Sequence, residues 1–205
     1  IPSEEVVVKA APVESGSQAA FAPAPIEDVT AAIAEYKPDI VFAPHVETAS
    51  GMILPNDYMK VVADAVHAEG GLFVLDCVAS GTIWVDMAAT GVDVLISAPQ
   101  KGWSASPCSA LVMLGEEARK CIDDTTSSSF AADLKKWLQI MEAYEGGGHA
   151  YHATLPTDAI VKFHASLKET EDYGFDKVKA EQQELGDKVR AMMSSYGFKS
   201  LAADG

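Results

Sequence analysis

The sequence predicts an α/β fold, a mostly parallel sheet flanked by helices. Three observations carry that prediction. Short apolar runs alternate along the chain with longer amphipathic stretches of helical period. Proline and glycine stand where those stretches begin and end, at Pro25, Pro38, Pro55 and Gly70-Gly71. The balance of 48% hydrophobic and 22% charged residues suits a globular chain that buries a core.

Taken in order, Val6-Val7-Val8 is a candidate strand. Residues 10–25 are rich in Ala, Pro and Ser and read as an exposed loop. Ile26 to Lys37 follows Pro25, places Val29, Ile33 and Tyr36 at helical spacing, and is ended by Pro38. Asp39 to Ala43 reads as a buried strand. Pro55 to Glu69 reads as a helix with Tyr58, Val61, Val62, Ala65 and Val66 as its apolar stripe, stopped by Gly70-Gly71. Leu72 to Leu75 is a strand, Asp86 to Gly91 a short helix, and Val92 to Ile96 and Ala110 to Leu114 two more strands. Strands that alternate with helices pair in parallel through crossovers and bury their faces under those helices. Beyond Gly115 the pattern becomes helical, over 134–144, 157–169 and 176–193, with Gly146-Gly147-Gly148 separating the first two. Two units are expected, residues 1–170 as the main domain and 171–205 as a linking helix with the start of a second domain. The chain opens on Ile1-Pro2-Ser3 without an initiator methionine and stops at Gly205, so it reads as a central fragment of a longer protein.

The formal net charge of −15 repels phosphate backbones and argues against nucleic acid as a partner. Cys77, Cys108 and Cys121 show neither a zinc spacing nor an even disulfide framework, which fits a reducing compartment. No apolar run reaches membrane-spanning length. A cytoplasmic protein is expected, with a peroxisomal or mitochondrial one as the alternative left open.

Ligands of open α/β sheets bind beyond the carboxyl ends of the strands. Three such ends carry polar residues here. They are His45-Val46-Glu47-Thr48-Ala49-Ser50-Gly51, Asp76-Cys77-Val78-Ala79-Ser80, and Ser97-Ala98-Pro99-Gln100-Lys101-Gly102-Trp103. Together they offer a lysine, carboxylates, hydroxyls, an amide and an imidazole. A lysine amine for an aldehyde and an acid for a pyridinium nitrogen are what pyridoxal phosphate needs. The acid keeps that nitrogen protonated, because an opposite charge favours the charged form.

These three stretches, in this order, resemble the His-x-Glu-[Ser/Thr]-x-x-Gly, Asp-x-Val-x-Ser and Ser-x-x-Gln-Lys motifs of the class V, fold-type I aminotransferases. The likeness is nearest the alanine–glyoxylate and serine–pyruvate branch. A fourth stretch, Tyr151-His152-Ala153-Thr154-Leu155-Pro156, resembles that family's Tyr-His-x-Thr-x-Pro segment. The resemblance implies the large domain of a three-layer, aspartate-aminotransferase-like fold and a homodimer. It implies Lys101 as the lysine that takes the cofactor aldehyde as a Schiff base, and Asp76 as the partner of the pyridine nitrogen. It implies that Val78 packs on the ring face and that Thr48 and Gln100 bond around the ring oxygen and phosphate edge. Tyr151 and Thr154 would then reach the cofactor phosphate of the neighbouring subunit.

The reaction implied is amino transfer between a small amino acid, alanine or serine, and a 2-oxo acid, glyoxylate or pyruvate. A lyase, desulfurase or epimerase of the same fold is the nearest alternative, although Gln100 stands where desulfurases place a histidine. A dimerising chain without catalysis is the alternative of another class. The family's phosphate loop, its ring-stacking aromatic and its distal carboxylate-binding arginine have no counterpart here, since Arg119 and Arg190 both lie in helical stretches. Pro99 and Pro107-Cys108 also depart from the family's lysine turn. Several nearby residues have plain structural readings. His45 and Glu47 could shape their own loop, Trp103 could pack rather than wall a pocket, and His149 and His152 read as loop residues. His67, His164, Cys77 and Cys108 read as packing residues.

Overall fold

The computed structural model describes residues 3–203. Its centre is a four-stranded sheet. After a short hairpin, β1 (Ala11–Pro12) and β2 (Phe21–Ala22), and helix α1 (Ile26–Tyr36) comes the first central strand, β3 (Ile40–Pro44). A second small hairpin, β4 (Val46–Glu47) and β5 (Met52–Ile53), leads into α2 (Asn56–Ala68). Then follow β6 (Leu72–Asp76), α3 (Met87–Thr90), β7 (Val94–Ser97) and β8 (Leu111–Leu114). Helices α4 (Glu116–Asp123), α5 (Leu134–Glu145), α6 (Thr157–Tyr173) and α7 (Phe175–Ser195) complete the described chain.

The sheet order is β3-β6-β7-β8. The first three strands run parallel and β8 runs antiparallel to β7. The sequence explains the crossovers. Helix α1 leads into β3, and α2 and α3 cross over from β3 to β6 and from β6 to β7, with Ile33 of α1 and Met59, Val62, Ala63 and Val66 of α2 buried in one core with Phe73, Leu75 and Leu95. Asp86 caps α3 by accepting from the Ala89 amide at 3.0 Å, which turns the chain into the short crossover before β7. Asp93, just ahead of β7, accepts from the Phe73 amide and pairs with His67 Nε2, both at 2.7 Å, tying the carboxyl end of α2 to the amino ends of β6 and β7. His67 is thus structural, as its helical position suggested.

Four readings of the sequence are corrected. Val6 to Val8 form no strand and stand largely in solvent. A β-branched run without a neighbouring strand to pair with has nothing to order it. Residues 10–25 are not a bare loop, since they hold the β1–β2 hairpin. Its Phe21 bonds the far end of the chain, donating to the Leu201 carbonyl at 2.8 Å and accepting from the Ala203 amide at 2.9 Å. β3 is not fully buried. Among the described residues it pairs only with β6, and Phe42 on its outer face is 70% exposed. Helix α4 went unseen, although its acidic first turn and the Glu116–Lys120 and Arg119–Asp123 pairs at i,i+4 are helix signals.

Candidate active site

The carboxyl ends of β3, β6 and β7 lie level. Pro44 stands opposite Asp76, and Asp76 opposite Ile96. Adjacent strands are about 4.8 Å apart, so the residues leaving these strands emerge together at one edge. Asp76 ends β6 with its side chain exposed, and Oδ1 accepts from the Val78 amide at 2.8 Å. That bond sets the direction of the loop and leaves Oδ2 without a hydrogen bond among the described residues. The Cys77 amide donates to the Ile96 carbonyl at 2.8 Å, locking the end of β6 to the end of β7.

Lys101 lies in the turn that follows β7. The turn is closed by backbone bonds from Lys101 to Ala98 at 3.2 Å, Ser104 to Lys101 at 3.0 Å and Ala105 to Pro99 at 2.9 Å. Pro99 is fully buried beneath it, so the departure from the family pattern sits in the packed base of the turn and not at its tip. Lys101 is exposed, and its Nζ is held by no carboxylate among the described residues. Gly102 packs backbone to backbone on the loop after β6, close enough that a Cβ there would stand 1.8 Å from the Gly81 carbonyl oxygen. Trp103 then fixes the far side. Its Nε1 donates to Ser97 Oγ at 3.0 Å, its carbonyl accepts from Ser166 Oγ at 2.6 Å, and its ring lies 4.7 Å from Trp84 and 6.1 Å from Phe163. Trp103 is therefore a packing residue that moors the lysine turn to α6.

His45 is buried directly behind Asp76. Its amide donates to the Asp76 carbonyl at 2.8 Å, and its Nδ1 shares a 2.7 Å hydrogen bond with Ser80 Oγ. Burial, and secondarily the positive charge of Lys179, push His45 down to about 4 from an ordinary 6.5. Because the folded imidazole resists a proton that the unfolded chain accepts, stability falls as pH drops from 6.5 towards 4. The loss is expected to total roughly 3 kcal/mol and to stop below that window, where both states are protonated. Urea midpoints at stepped pH check it: His45→Gln should flatten this limb, and an equal slope in the variant would refute the assignment.

Comparison with known proteins fits this arrangement. The family model for aminotransferase class V matches residues 5–204. The chain belongs to the class-V aminotransferase family. Among curated relatives of this class-V chain, the alanine–glyoxylate aminotransferase of Oryctolagus cuniculus is 26% identical over 182 residues, covering 87% of this chain and 45% of that one. The 2-aminoethylphosphonate–pyruvate transaminase of Salmonella schwarzengrund is 30% identical over 164 residues, covering 78% and 42%. The chain thus spans less than half the length of these relatives. Its fold matches the crystal structure of an alanine–glyoxylate aminotransferase from Nostoc sp. with a TM-score of 0.73 at 22% identity, over 85% of this chain and 45% of that one. It also matches a pyridoxamine–pyruvate aminotransferase from Mesorhizobium loti with a TM-score of 0.75 at 19% identity, over 88% and 45%.

Within this class-V chain the fold brings Asp76, Val78 and the Gln100-Lys101 turn to one sheet edge. Val78 is half-buried and Gln100 is exposed at the tip of the turn. Thr48 is exposed in the β4–β5 turn. Glu47 is the acid that shapes that turn, with Oε1 accepting from Ala49 at 3.0 Å and Oε2 from Ser50 at 2.7 Å, bonds that hold its carboxyl below the usual range. Tyr151 and Thr154 are not drawn to this edge by any side-chain bond. Their hydroxyls lie 3.3 Å apart, and the segment is anchored by His152, whose Nε2 bonds the Phe130 carbonyl at 2.8 Å and whose ring lies 4.1 Å from Phe130. Tyr151 points to solvent, 75% exposed. Cys77 is a core residue whose thiol is pushed up to about 11, chiefly by burial.

Two cavities accompany the edge. One, of about 650 Å³, lies between Thr82-Ile83 and α7. The other, of about 400 Å³, is lined by Ser80, Trp84, Trp103 and Lys179. Neither is lined by Asp76 or Lys101. Sequence reasoning gave no role to Ser80, which bonds His45, or to Thr82 and Gln182, which bond each other. Ser80 stood inside the Asp-x-Val-x-Ser motif, but Gln182 carried no local signal at all.

Proposed function

We propose that this chain carries the central part of a pyridoxal-phosphate site and serves amino transfer between a small amino acid and a 2-oxo acid. The observation that supports the reading best is the joining of β6 and β7 at their carboxyl ends. It sets on the same edge an exposed carboxylate and an exposed lysine, with Oδ2 and Nζ both unbonded among the described residues. This donor set fits the cofactor, an acid for the ring nitrogen and an amine for the aldehyde.

When bound, pyridoxal phosphate supplies the electron sink that makes the substrate α-proton acidic. Lys101 would hold its aldehyde carbon, and the same amine would move the proton at the substrate α-carbon. Asp76 would keep the pyridine nitrogen protonated, with its open Oδ2 as the available acceptor. Val78 would pack on the ring face, while Thr48 and Gln100 would bond its oxygen and the phosphate edge. The exposure of Tyr151 and Thr154, on a segment anchored through His152 to Phe130, supports their serving the cofactor phosphate of a partner subunit in a homodimer. Residues 171–205, which take in the last residues of α6 and all of α7, would then lead from the main domain into a second one.

The names of the relatives favour alanine as donor and glyoxylate or pyruvate as acceptor, while serine as donor rests on the sequence resemblance alone. The test is a half-reaction on the full protein loaded with pyridoxal phosphate. Alanine or serine should convert the cofactor to its amine form, and glyoxylate or pyruvate should restore the aldehyde form. Release of sulfide from cysteine, or of product without that interconversion, would replace the reading with a desulfurase or lyase.

A further inference from the structure

We infer that Gln182, on α7, is a positioning residue that holds the Lys101 turn in place through the loop after β6. The inference rests on the proposed reading only in taking Lys101 as the reactive amine. Three groups stack against one another. Gly102 meets Gly81 at the distance given above. A Cβ on Gly81, whose φ is +59°, would stand 2.3 Å from Gln182 Nε2 and 2.7 Å from Oε1. The Gly81 peptide is therefore clasped between the Gln182 amide and the backbone next to Lys101.

Hydrogen bonds fix the clasp from the α7 side. Gln182 Oε1 accepts from the Thr82 amide at 2.7 Å and from Thr82 Oγ1 at 2.6 Å. The same loop is tied to α7 again where Lys179 Nζ donates to the Trp84 carbonyl at 2.8 Å and Trp84 Nε1 donates to the Phe175 carbonyl at 3.2 Å. Those two bonds act further along the loop. Gln182 is the contact that sets Gly81 itself, and Gly81 is what Gly102 rests on. Among the described residues the Lys101 side chain has no bond of its own to correct a drift. A displacement of an ångström in a catalytic group costs on the order of a hundredfold in rate, so a brace at this point bears on function and not only on folding.

The experiment compares the wild-type protein with Gln182→Leu and Gln182→Glu. Leucine removes the acceptor from both Thr82 donors, whereas glutamate keeps an oxygen there. Hydrogen exchange of the cofactor-free protein is the first readout. Gln182→Leu should speed exchange at Thr82 and at Lys101, Ser104 and Ala105 about tenfold, with Met59 to Val66 in α2 unchanged. In the loaded enzyme kcat should fall about tenfold or more while the donor KM stays within about twofold, and Gln182→Glu should recover most of both effects. Faster exchange at Thr82 alone, with Lys101 to Ala105 and kcat unmoved, would overturn the proposal. Borohydride reduction of the wild-type protein with pyridoxal phosphate, followed by peptide mapping, keeps the two claims apart. Failure to label Lys101 would remove the cofactor reading, while the exchange data would still decide whether Gln182 braces the turn.

Discussion

Lys101→Ala is expected to abolish amino transfer while leaving the fold intact. The structure predicts both halves. Lys101 is exposed, and its turn is closed by backbone bonds that alanine keeps. Truncating an exposed side chain with no partner changes stability by about 0.5 kcal/mol or less. The chemical loss is of another order. A positioned general acid–base alone contributes roughly 10²–10⁴-fold, and this amine would also anchor the cofactor, so at least a thousandfold fall in the half-reaction is expected. The visible absorbance of the lysine-bound cofactor should disappear with it. Lys162→Ala, an exposed lysine on α6, is the control and should change neither rate nor spectrum. An unaltered spectrum and rate in Lys101→Ala would remove this lysine from the mechanism, and with it the role given to Asp76.

What could be read from the sequence was what is local. The stripe of α2 predicted two of its buried residues, Val62 and Val66, although Val61 is exposed and the fully buried Met59 and Ala63 lay outside it, and the capping aspartate and closing glycine bounded α3. The edge itself was legible because strand ends carry ligands in this fold class, and three polar stretches of fixed order followed three apolar runs. Pairing across long separations was not legible. β3 and a fully buried strand share the same apolar run, and only the absence of a second neighbour among the described residues distinguishes them. The hairpin at Ala11 and Phe21 depends in part on Leu201 and Ala203, far along the chain. The same physics hid the supports of the site. His45 could be seen as loop-forming, but its buried bond to Ser80 follows from two strand ends meeting in space. Gln182 looks like any polar residue of an exposed helix until the fold sets it over Gly81. Trp103 was ambiguous for a related reason: packing and pocket-lining tryptophans have the same sequence signature, and the fold makes it both, packed on Trp84, Phe163 and Ser166 while one side lines the cavity of about 400 Å³.

Gly102→Ala should be the most damaging single methyl group that can be added near the site. Gly102 does not adopt a left-handed backbone, so alanine is conformationally acceptable there and the cost is one of space. The new Cβ would lie 1.8 Å from the Gly81 oxygen, 2.3 Å from its carbonyl carbon and 3.0 Å from its Cα. All three are backbone atoms, so no rotamer change relieves the overlap. One of the two loops has to move by more than an ångström. If the loop after β6 moves, the Thr82 bonds to Gln182 break; if the lysine turn lifts, Trp103 leaves Ser97 and Ser166. Overpacking costs about 1–3 kcal/mol where side chains can adjust, and the rigid neighbours here put the loss at or above the upper end. The urea midpoint should fall accordingly. Activity should fall further, about a hundredfold at temperatures where the variant is still folded, because the turn that lifts is the one that carries Lys101. Gly81→Ala makes the informative comparison: its Cβ pushes aside the Gln182 amide and not backbone, so beyond the roughly 1 kcal/mol of a side chain forced to positive φ it should break the Thr82 bonds and lower kcat as Gln182→Leu does. A Gly102→Ala protein as stable and as active as the wild type would mean that the two loops do not meet, and the brace from α7 to Lys101 would lose its middle link.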